Sequence, residues 1–420
     1  MMRLTMFTGP YPVGERLGGV GLRLWELALT LAAEGIETVI AGPPGSAVSW
    51  SQPGLRVEVF EEDTWPQLVE DADAVLTTDL PDQRVLLHAH QLGKILVCEN
   101  ATPIEHLDYG QVAGATDPEG VYDDLLERYL LQTWTCDHFL VRSSVERASV
   151  LGTLAAIGRL GPSHHTRSRT LHHLLTLLPV GFTDQAAALA DAAPVTAGGA
   201  ELVWSGGIWD YYDTVVLAEA LDRMRGAGHP ARLRFLYAPP PEQDIAEARR
   251  LRAAVDRLDL HELIDYPHGA LAHTARDAAV KASKVLVCLA RDGAENHTCL
   301  RLRLRDALLY RLPVVIDSFG ASADWVTQWG IGLAVDTRDP DAVADALTRL
   351  VFDTATYQRC LDAIDRARLA HRYQAHIGNL LAFLRTGTRA PDAGSPRQQA
   401  AVAQLLRRRP SLIAAPSNPI

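Results

Sequence analysis

The stretch 202–220, LVWSGGIWDYYDTVVLAEA, decides the fold that we expect for this chain. It opens with three apolar residues, breaks at Gly206 and Gly207, and resumes with apolar residues at helical spacing from Val215. Asp213 stands just before that run, where its carboxylate can accept backbone N–H bonds as a helix N-cap. The pattern therefore predicts a strand, a glycine loop and a helix. Such a loop can present backbone N–H groups and a helix dipole to a phosphate, although a tight turn in any α/β domain would look the same.

The beginning of the chain shows the same succession. We predict strands over 3–8 and 37–41, with a helix over 20–34 between them. The loop GPYPVGERLGG before this helix ends at Gly18 and Gly19. The arrangement matches the start of a nucleotide-binding strand–helix–strand unit but lacks the strict GxGxxG spacing, so a conformational turn would also explain these glycines.

Further short apolar runs predict strands, and helical stretches separate several of them. The strands lie at 55–60, 74–77, 85–89, 95–98 and 138–141, and then at 202–204, 232–237, 263–266, 285–289 and 314–316. Alternation of this kind predicts mostly parallel sheets with helices on both faces. We therefore expect an α/β protein with two Rossmann-like, doubly wound parallel-sheet domains that face a cleft, where a ligand would bind.

The expected domain limits follow changes in composition. The N-terminal Rossmann-like domain covers 1–182, an Ala-, Gly- and Pro-rich linker covers 183–199, and the C-terminal Rossmann-like domain covers 200–370. A helix over 371–385 could pack back on the N-terminal domain. We expect 386–420, which is rich in Arg, Pro, Ala and Ser, to be a flexible tail in which 400–408 could form a short helix.

Composition excludes several classes of protein. The 420 residues are 47% hydrophobic and 22% charged, with a net charge of -11, which argues against a nucleic-acid surface. The five cysteines are scattered and form no CxxC pair, so we expect a reducing compartment and a cytoplasmic location. We find no signal peptide, no apolar run long enough for a transmembrane segment and no metal-ligand spacing. The oligomeric state is left open.

Alternating arginines dominate the segment 295–315, ENHTCLRLRLRDALLYRLPVV, which lies between two predicted strands. Arg301, Arg303 and Arg305 precede Asp306 at the entry of a predicted helix. Guanidinium groups bind phosphate through paired hydrogen bonds, so they could neutralise a diphosphate. A surface cluster of opposite charges is the alternative.

Polar residues also follow predicted strands in the first half. His88, Glu99 and Asn100 fall at or just past such ends, where open parallel sheets bind ligands. Each of these residues could equally have a structural role.

Three segments together resemble family-4 glycosyltransferases of the GT-B fold, within a bacterial branch that has a GGIWDYYD-type donor loop. They are 18–42, 204–213 and 295–315, and the resemblance extends over about 1–385. It implies transfer of a sugar, with retention, from a UDP-, GDP-, dTDP- or ADP-sugar in a fold that usually needs no divalent ion. The leaving diphosphate would need its growing charge stabilised.

The resemblance also implies roles for individual residues. Gly18, Gly19, Gly206 and Gly207 would approach the diphosphate through backbone N–H groups, Trp209 would belong to the donor site and Asp306 would hold the ribose. The candidate catalytic residues are Glu295, near the donor sugar, and Arg301 and Arg303, near the diphosphate. His88, Glu99 and Asn100 are the candidate acceptor contacts.

The sequence departs from the family pattern at three places. The loop 206–213 lacks the usual Arg and Lys, Thr298 stands where the family has a glutamate, and Arg311 replaces a glycine. We expect a glycosyltransferase for natural-product biosynthesis, acting on a small molecule such as an aminocyclitol-like acceptor. The alternatives are a nucleotide-sugar epimerase or phosphorylase on the same fold, and a non-catalytic auxiliary protein.

Overall fold

A computed structural model describes residues 2–14, 17–47, 52–99, 109–192, 200–237, 245–266 and 271–408. The chain divides into two compact units. The first unit contains Met1–Pro179 and Tyr373–Ile420, and the second contains Val180–Arg372. The second unit is therefore inserted into the sequence of the first.

The first unit is built on a parallel sheet of seven strands. Their order is β3-β2-β1-β4-β5-β6-β7, so the winding reverses between β1 and β4. The strands are β1 (Arg3–Phe7), β2 (Glu37–Gly42), β3 (Leu55–Val59), β4 (Ala74–Thr78), β5 (Ile95–Glu99), β6 (His138–Val141) and β7 (Leu175–Leu177).

Helices before the insertion cover this sheet. They are α1 (Gly19–Ala33), α2 (Trp65–Glu70), α3 (Gln83–Gln91), α4 (Tyr109–Gly114), α5 (Pro118–Thr135), α6 (Ser144–Ala156) and α7 (Pro162–Arg167). The predicted strand at 85–89 is wrong, because these residues lie inside α3. Asp82 caps this helix by accepting from the Arg84 N–H at 2.9 Å, and Val85, Leu86 and Ala89 form its buried face.

The second unit repeats the doubly wound design with six parallel strands. Their order is β10-β9-β8-β11-β12-β13, and the winding reverses between β8 and β11. The strands are β8 (Leu202–Trp204), β9 (Leu233–Phe235), β10 (Ile264–Asp265), β11 (Val285–Cys288), β12 (Val314–Asp317) and β13 (Gly332–Val335). The prediction of two Rossmann-like parallel-sheet domains is confirmed. Ligands bind such sheets where the winding reverses, which directs attention to the ends of β8 and β11.

Nine described helices accompany this sheet within 180–372. They are α8 (Asp184–Ala192), α9 (Thr214–Gly226), α10 (Ala246–Leu258), α11 (His273–Lys281), α12 (Ala294–Thr298), α13 (Leu304–Tyr310), α14 (Gly320–Trp329), α15 (Pro340–Phe352) and α16 (Thr354–Ala370). The predicted linker begins inside this unit, because Ala187 and Ala190 of α8 are buried in a core that includes Leu308. The remainder of that linker, 193–199, lies outside the described residues.

From Tyr373 the chain belongs to the first unit again, as α17 (Tyr373–His376), α18 (Gly378–Thr386) and α19 (Pro396–Arg408). The expectation of a flexible tail is wrong for 386–408, because Val402 and Leu405 of α19 are buried with Trp134. Residues 409–420 lie outside the described part of the chain. Across the described ranges, no helix has both the length and the apolar character needed to cross a membrane.

Candidate functional site

The loop after β8 is fixed to its own strand and to the end of β11. The Trp204 indole donates from Nε1 to the carbonyl oxygen of Gly207 at 3.1 Å, which closes the glycine turn. Farther along, the Arg291 N–H donates to the carbonyl of Tyr211 at 2.9 Å. Tyr212 and Ala290 also form an isolated antiparallel bridge. The two loops at the reversal of the winding therefore form one assembly.

Arg303 lies inside this assembly. Its guanidinium carbon is 4.6 Å from the centroid of the Trp204 ring and 4.3 Å from that of Tyr212, and Nη2 donates to Gly207 O at 2.9 Å. A Cβ on Gly206 would lie only 2.8 Å from Nη2, so a side chain at this position would displace the guanidinium. Arg303 is 9% exposed, and its Nη1 has no hydrogen-bond partner among the described residues. The site thus presents a desolvated cation with an unused N–H beside the two glycines.

Arg301 has a different environment from the one predicted. Its Nη1 donates to Asp317 Oδ2 at 2.5 Å and to Cys288 O at 3.1 Å, and its Nη2 donates to Asn296 Oδ1 at 3.2 Å. Burial raises the pKa of Asp317, and the charge of Arg301 opposes that shift. The charge of Arg301 is already balanced by a carboxylate at the end of β12, so the predicted contact with a diphosphate, which stays a prediction, would have to compete with Asp317.

Asp306 is likewise paired inside the protein. It is 1% exposed, and its Oδ2 accepts a hydrogen bond from Arg276 of α11. Burial would raise the pKa of Asp306, but the charges of Arg276 and Arg305 outweigh it and lower the pKa. The carboxylate is ionised and faces a guanidinium, so the predicted contact with a ribose would have to compete with Arg276.

The first turn of α9 is closed by the chain's own carboxylates. Asp213 accepts from the Val216 N–H at 3.3 Å, which confirms the predicted N-cap. Glu247, which is fully buried, accepts from the Thr214 N–H at 2.7 Å and from Arg291 Nη2 at 2.6 Å. Acidic side chains thus already accept from the N–H groups of Thr214 and Val216, so a phosphate at the start of α9 would have to compete with them.

The remaining candidates of the second unit are more accessible. Trp209 is 41% exposed and covers Gly207, where an added Cβ would lie 3.2 Å from the indole. Glu295 is half-buried in the first turn of α12, and its Oε1 would lie 2.7 Å from a Cβ on Gly293. Both side chains leave part of their surface available to a ligand.

Arg311, which replaces a family glycine, retains the backbone conformation that glycine favours. Its φ of 59° is left-handed, at the end of α13. Its guanidinium pairs with Asp365 at 2.7 Å. The substitution therefore keeps the local turn.

In the first unit, α1 has an open N-terminus. Gly18 is the N-cap residue, no side chain caps the helix, and an added Cβ at this position would meet nothing within 4 Å among the described residues. Gly19 is the first helical residue. No capping side chain from the described residues therefore satisfies the backbone N–H groups at this helix start, in contrast to those of α9.

The three predicted acceptor contacts have different outcomes. His88 lies in α3 beside Glu70, at 3.5 Å, and not at a strand end, so its predicted placement is wrong. Glu99 does end β5, but it is buried and paired with Arg23, which leaves it a structural role. Asn100 lies outside the described residues.

Sequence reasoning missed four residues that organise the site: Asn296, Asp317, Glu247 and Arg276. Asp317 could have been found, because it directly follows the apolar run VVI and so stands at a strand's carboxyl end. The pairings of Glu247 and Arg276 connect residues that are far apart in sequence, and no local pattern indicates them.

Comparisons with known proteins relate this geometry to solved structures. No protein-family model matches the chain, and no curated protein matches it. Sucrose-phosphate synthase from Thermosynechococcus elongatus is 16% identical, with 92% of this chain and 99% of that chain covered and a TM-score of 0.62. An α,α-trehalose-phosphate synthase (UDP-forming) from Burkholderia xenovorans, solved with glucose-6-phosphate, is 14% identical over 91% of this chain and 100% of that chain, with a TM-score of 0.64. WaaG, a glycosyltransferase involved in lipopolysaccharide biosynthesis, is 12% identical over 91% of this chain and 98% of that chain, with a TM-score of 0.55. The chain thus has the two-domain GT-B fold, with two Rossmann-like units.

Proposed function

We propose that this chain is a nucleotide-sugar-dependent glycosyltransferase, related to family 4, that transfers a sugar with retention to a small-molecule acceptor. The observation that carries the proposal is Arg303, a buried guanidinium with an unused N–H beside Gly206 and Gly207 at the reversal of a Rossmann winding. The fold supports it, since solved structures with this fold include sugar-phosphate synthases and a glycosyltransferase.

The role of Arg303 follows from the chemistry of the leaving group. Departure of a nucleoside diphosphate increases negative charge on its terminal phosphate, and a fixed donor aimed at that oxygen lowers the barrier. The rings of Trp204 and Tyr212 hold the guanidinium and keep water from it, which strengthens the interaction. We assign the diphosphate to Nη1 of Arg303 and to the backbone of the glycine loop.

Other residues take supporting roles in this proposal. Glu295 lies near the donor sugar, and Trp209 offers an aromatic face to the donor. Gly18 and Gly19 are the anion-binding end of the first unit, at the open start of α1.

The acceptor that we propose is a natural product or an aminocyclitol-like molecule. Sugar phosphates are the second class to test, because a trehalose-phosphate synthase of this fold was solved with glucose-6-phosphate. The five cysteines, which all lie in the described part of the chain, form no disulfide, and this suits a reducing compartment such as the cytoplasm.

The first experiment is incubation with UDP-, GDP-, dTDP- and ADP-sugars, with release of nucleoside diphosphate as the readout. We expect slow hydrolysis of one donor, faster turnover with a suitable acceptor, and binding of the matching nucleoside diphosphate in calorimetry. Arg303→Ala should weaken that binding by about 10- to 100-fold, since a hydrogen bond to a charged group contributes about 1.5–3 kcal/mol. Arg338→Ala, at an exposed arginine of the same unit, is the matched control. A protein that binds none of these diphosphates would refute the proposal.

A non-catalytic auxiliary protein is the second candidate. It is favoured by the internal pairing of Arg301 with Asp317 and of Asp306 with Arg276, which leaves little free charge at the site. The same experiment separates it, because such a protein would bind a nucleotide without turnover. Conversion of the donor sugar itself would instead indicate an epimerase or phosphorylase.

A further inference from the structure

The C-terminal strap, which we define as residues 389–408, closes one side of the first unit. Gln398 donates from Nε2 to the carbonyl of Trp134 at 2.6 Å, and Arg397 donates from Nη1 to Gly158 O at 2.7 Å. Val402 and Leu405 join Trp134 in one buried cluster. Detachment of the strap would therefore expose apolar surface at the end of α5.

The first charged attachment of the strap is Asp392. It pairs with Arg159 through Nε–Oδ2 at 2.7 Å and Nη2–Oδ1 at 2.8 Å. Its Oδ1 also lies 2.9 Å from Nε2 of His164, whose Nδ1 lies 3.0 Å from Nε2 of His173. Asp392 is thus linked through His164 to His173, and the two imidazole rings are stacked with their centroids 5.3 Å apart.

Only one hydrogen fits between the two imidazoles. If both rings were protonated, two N–H groups would point at each other across 3.0 Å, and two cations would be stacked. The charge of Asp392 favours a proton on His173. The charges of His164, Arg167 and His172 disfavour it. Burial, followed by the charge of His164, lowers the pKa of His173 to about 4.

The second charged attachment is Arg389. Its Nε donates to Asp137 Oδ2 at 3.1 Å, and its Nη2 lies 3.2 Å from Nδ1 of His90. A guanidinium has donors only, so Nδ1 of His90 must accept and the ring must be neutral. Burial and the charges of Arg389 and Arg159 lower the pKa of His90 to about 4.

We propose that the C-terminal strap is an acid-sensitive closure, released when His90 and His173, the inner ring of the stacked pair, take up protons. Arg389 is held by His90 only while that ring is neutral, and His173 can accept from a protonated His164 only while it is itself neutral. A proton on His164 alone keeps its bond to Asp392, so in this attachment the proton on His173 is the one that breaks the chain of hydrogen bonds. The proposal concerns the first unit alone and does not depend on the proposed function.

The test is hydrogen–deuterium exchange of the full chain between pH 8 and pH 5, corrected for the intrinsic rate. A histidine with a pKa of 6.5 when free and about 4 in the closed state raises the equilibrium constant for opening by about 30-fold at pH 5. Partial exposure of the rings reduces this factor to about tenfold for each histidine. We therefore expect protection within 389–408 to fall by about 100-fold, while amides of β4 and β5 lose less protection.

Two substitutions separate the histidines from general acid effects. His90→Asn places an oxygen where Nδ1 accepts, and His173→Gln places an amide where Nε2 bonds, so the double variant should keep its strap protected at pH 5. His165→Gln, at an exposed histidine of the same helix as His164, is the matched control and should behave as the wild type.

Either of two results would overturn the proposal. One is protection of the strap that stays constant from pH 8 to pH 5 in the wild type, a measurement that needs no variant to fold. The other is a folded double variant that loses protection as the wild type does.

Discussion

Replacing Arg301 by methionine tests whether this guanidinium stabilises the second unit or binds a ligand. Arg301 is 4% exposed, and Asp317, its carboxylate partner, is fully buried. The substitution leaves Asp317 with backbone N–H donors alone, that of Ala290 at 3.0 Å and its own. Breaking a buried pair by removing one partner costs about 3–5 kcal/mol. We expect a loss of that size in the free energy of unfolding, measured by urea denaturation of the second unit.

A second substitution identifies the cause of that loss. In Arg301→Met/Asp317→Asn no unpaired charge remains buried, so we expect at least half of the lost stability to return. Arg338→Met, at an arginine that is 88% exposed and pairs with Asp336, should leave unfolding unchanged.

Nucleotide binding decides between the two interpretations of Arg301. If Arg301→Met unfolds like the wild type yet loses its affinity for a nucleoside diphosphate, this arginine is the phosphate ligand that the sequence predicted. The assignment of the diphosphate to Arg303 would then be refuted.

Three other substitutions or conditions probe separate parts of the fold. Gly206→Ala places a methyl group 2.8 Å from Arg303 Nη2 and should weaken nucleoside diphosphate binding about tenfold in calorimetry, with little change in melting temperature; unchanged affinity would contradict the placement. Glu247→Gln should lower the unfolding free energy by about 1–3 kcal/mol in urea, because Thr214 and its helix lose a charged cap. Burial lowers the pKa of His138 to about 4, so the unfolded chain binds a proton first and stability should fall as the pH drops from 6.5 to 4. For this fully buried ring the loss in the free energy of unfolding is about 3 kcal/mol. An unfolding free energy that does not change with pH, measured by urea titrations at stepped pH, would contradict this prediction.

Strands in the middle of each sheet were predictable from sequence. β8, β11 and β12 contain short apolar runs, and the predictions match them closely. The edge strands β7 and β13 were missed, although the edge strands β3 and β10 were predicted. β7 has only three residues, and of β13 only Val335 is buried, so each leaves a weak apolar pattern. The run at 85–89 was misassigned because a short apolar stretch fits a helix and a strand equally well.

The site was predictable only where the interactions are local. The Asp213 cap and the glycine loop involve neighbours in sequence, and both appear as expected. The pairing of Arg301 with Asp317 was not predictable, because the alternating arginines have the same local sequence pattern. Only the fold shows that Arg301 contacts a carboxylate and that Arg303 contacts two aromatic rings.

The insertion of 180–372 into the first unit has a consequence for biosynthesis. Tyr373, Leu380 and Phe383 complete the same core as Leu4 and Leu24, yet the ribosome makes them only after the whole second unit. Until these residues are synthesised, the sheet of the first unit therefore has part of its apolar surface uncovered. The second unit, in contrast, can finish folding as soon as it emerges from the ribosome. Chaperone demand during translation should accordingly centre on the N-terminal strands and end when the last helices are released.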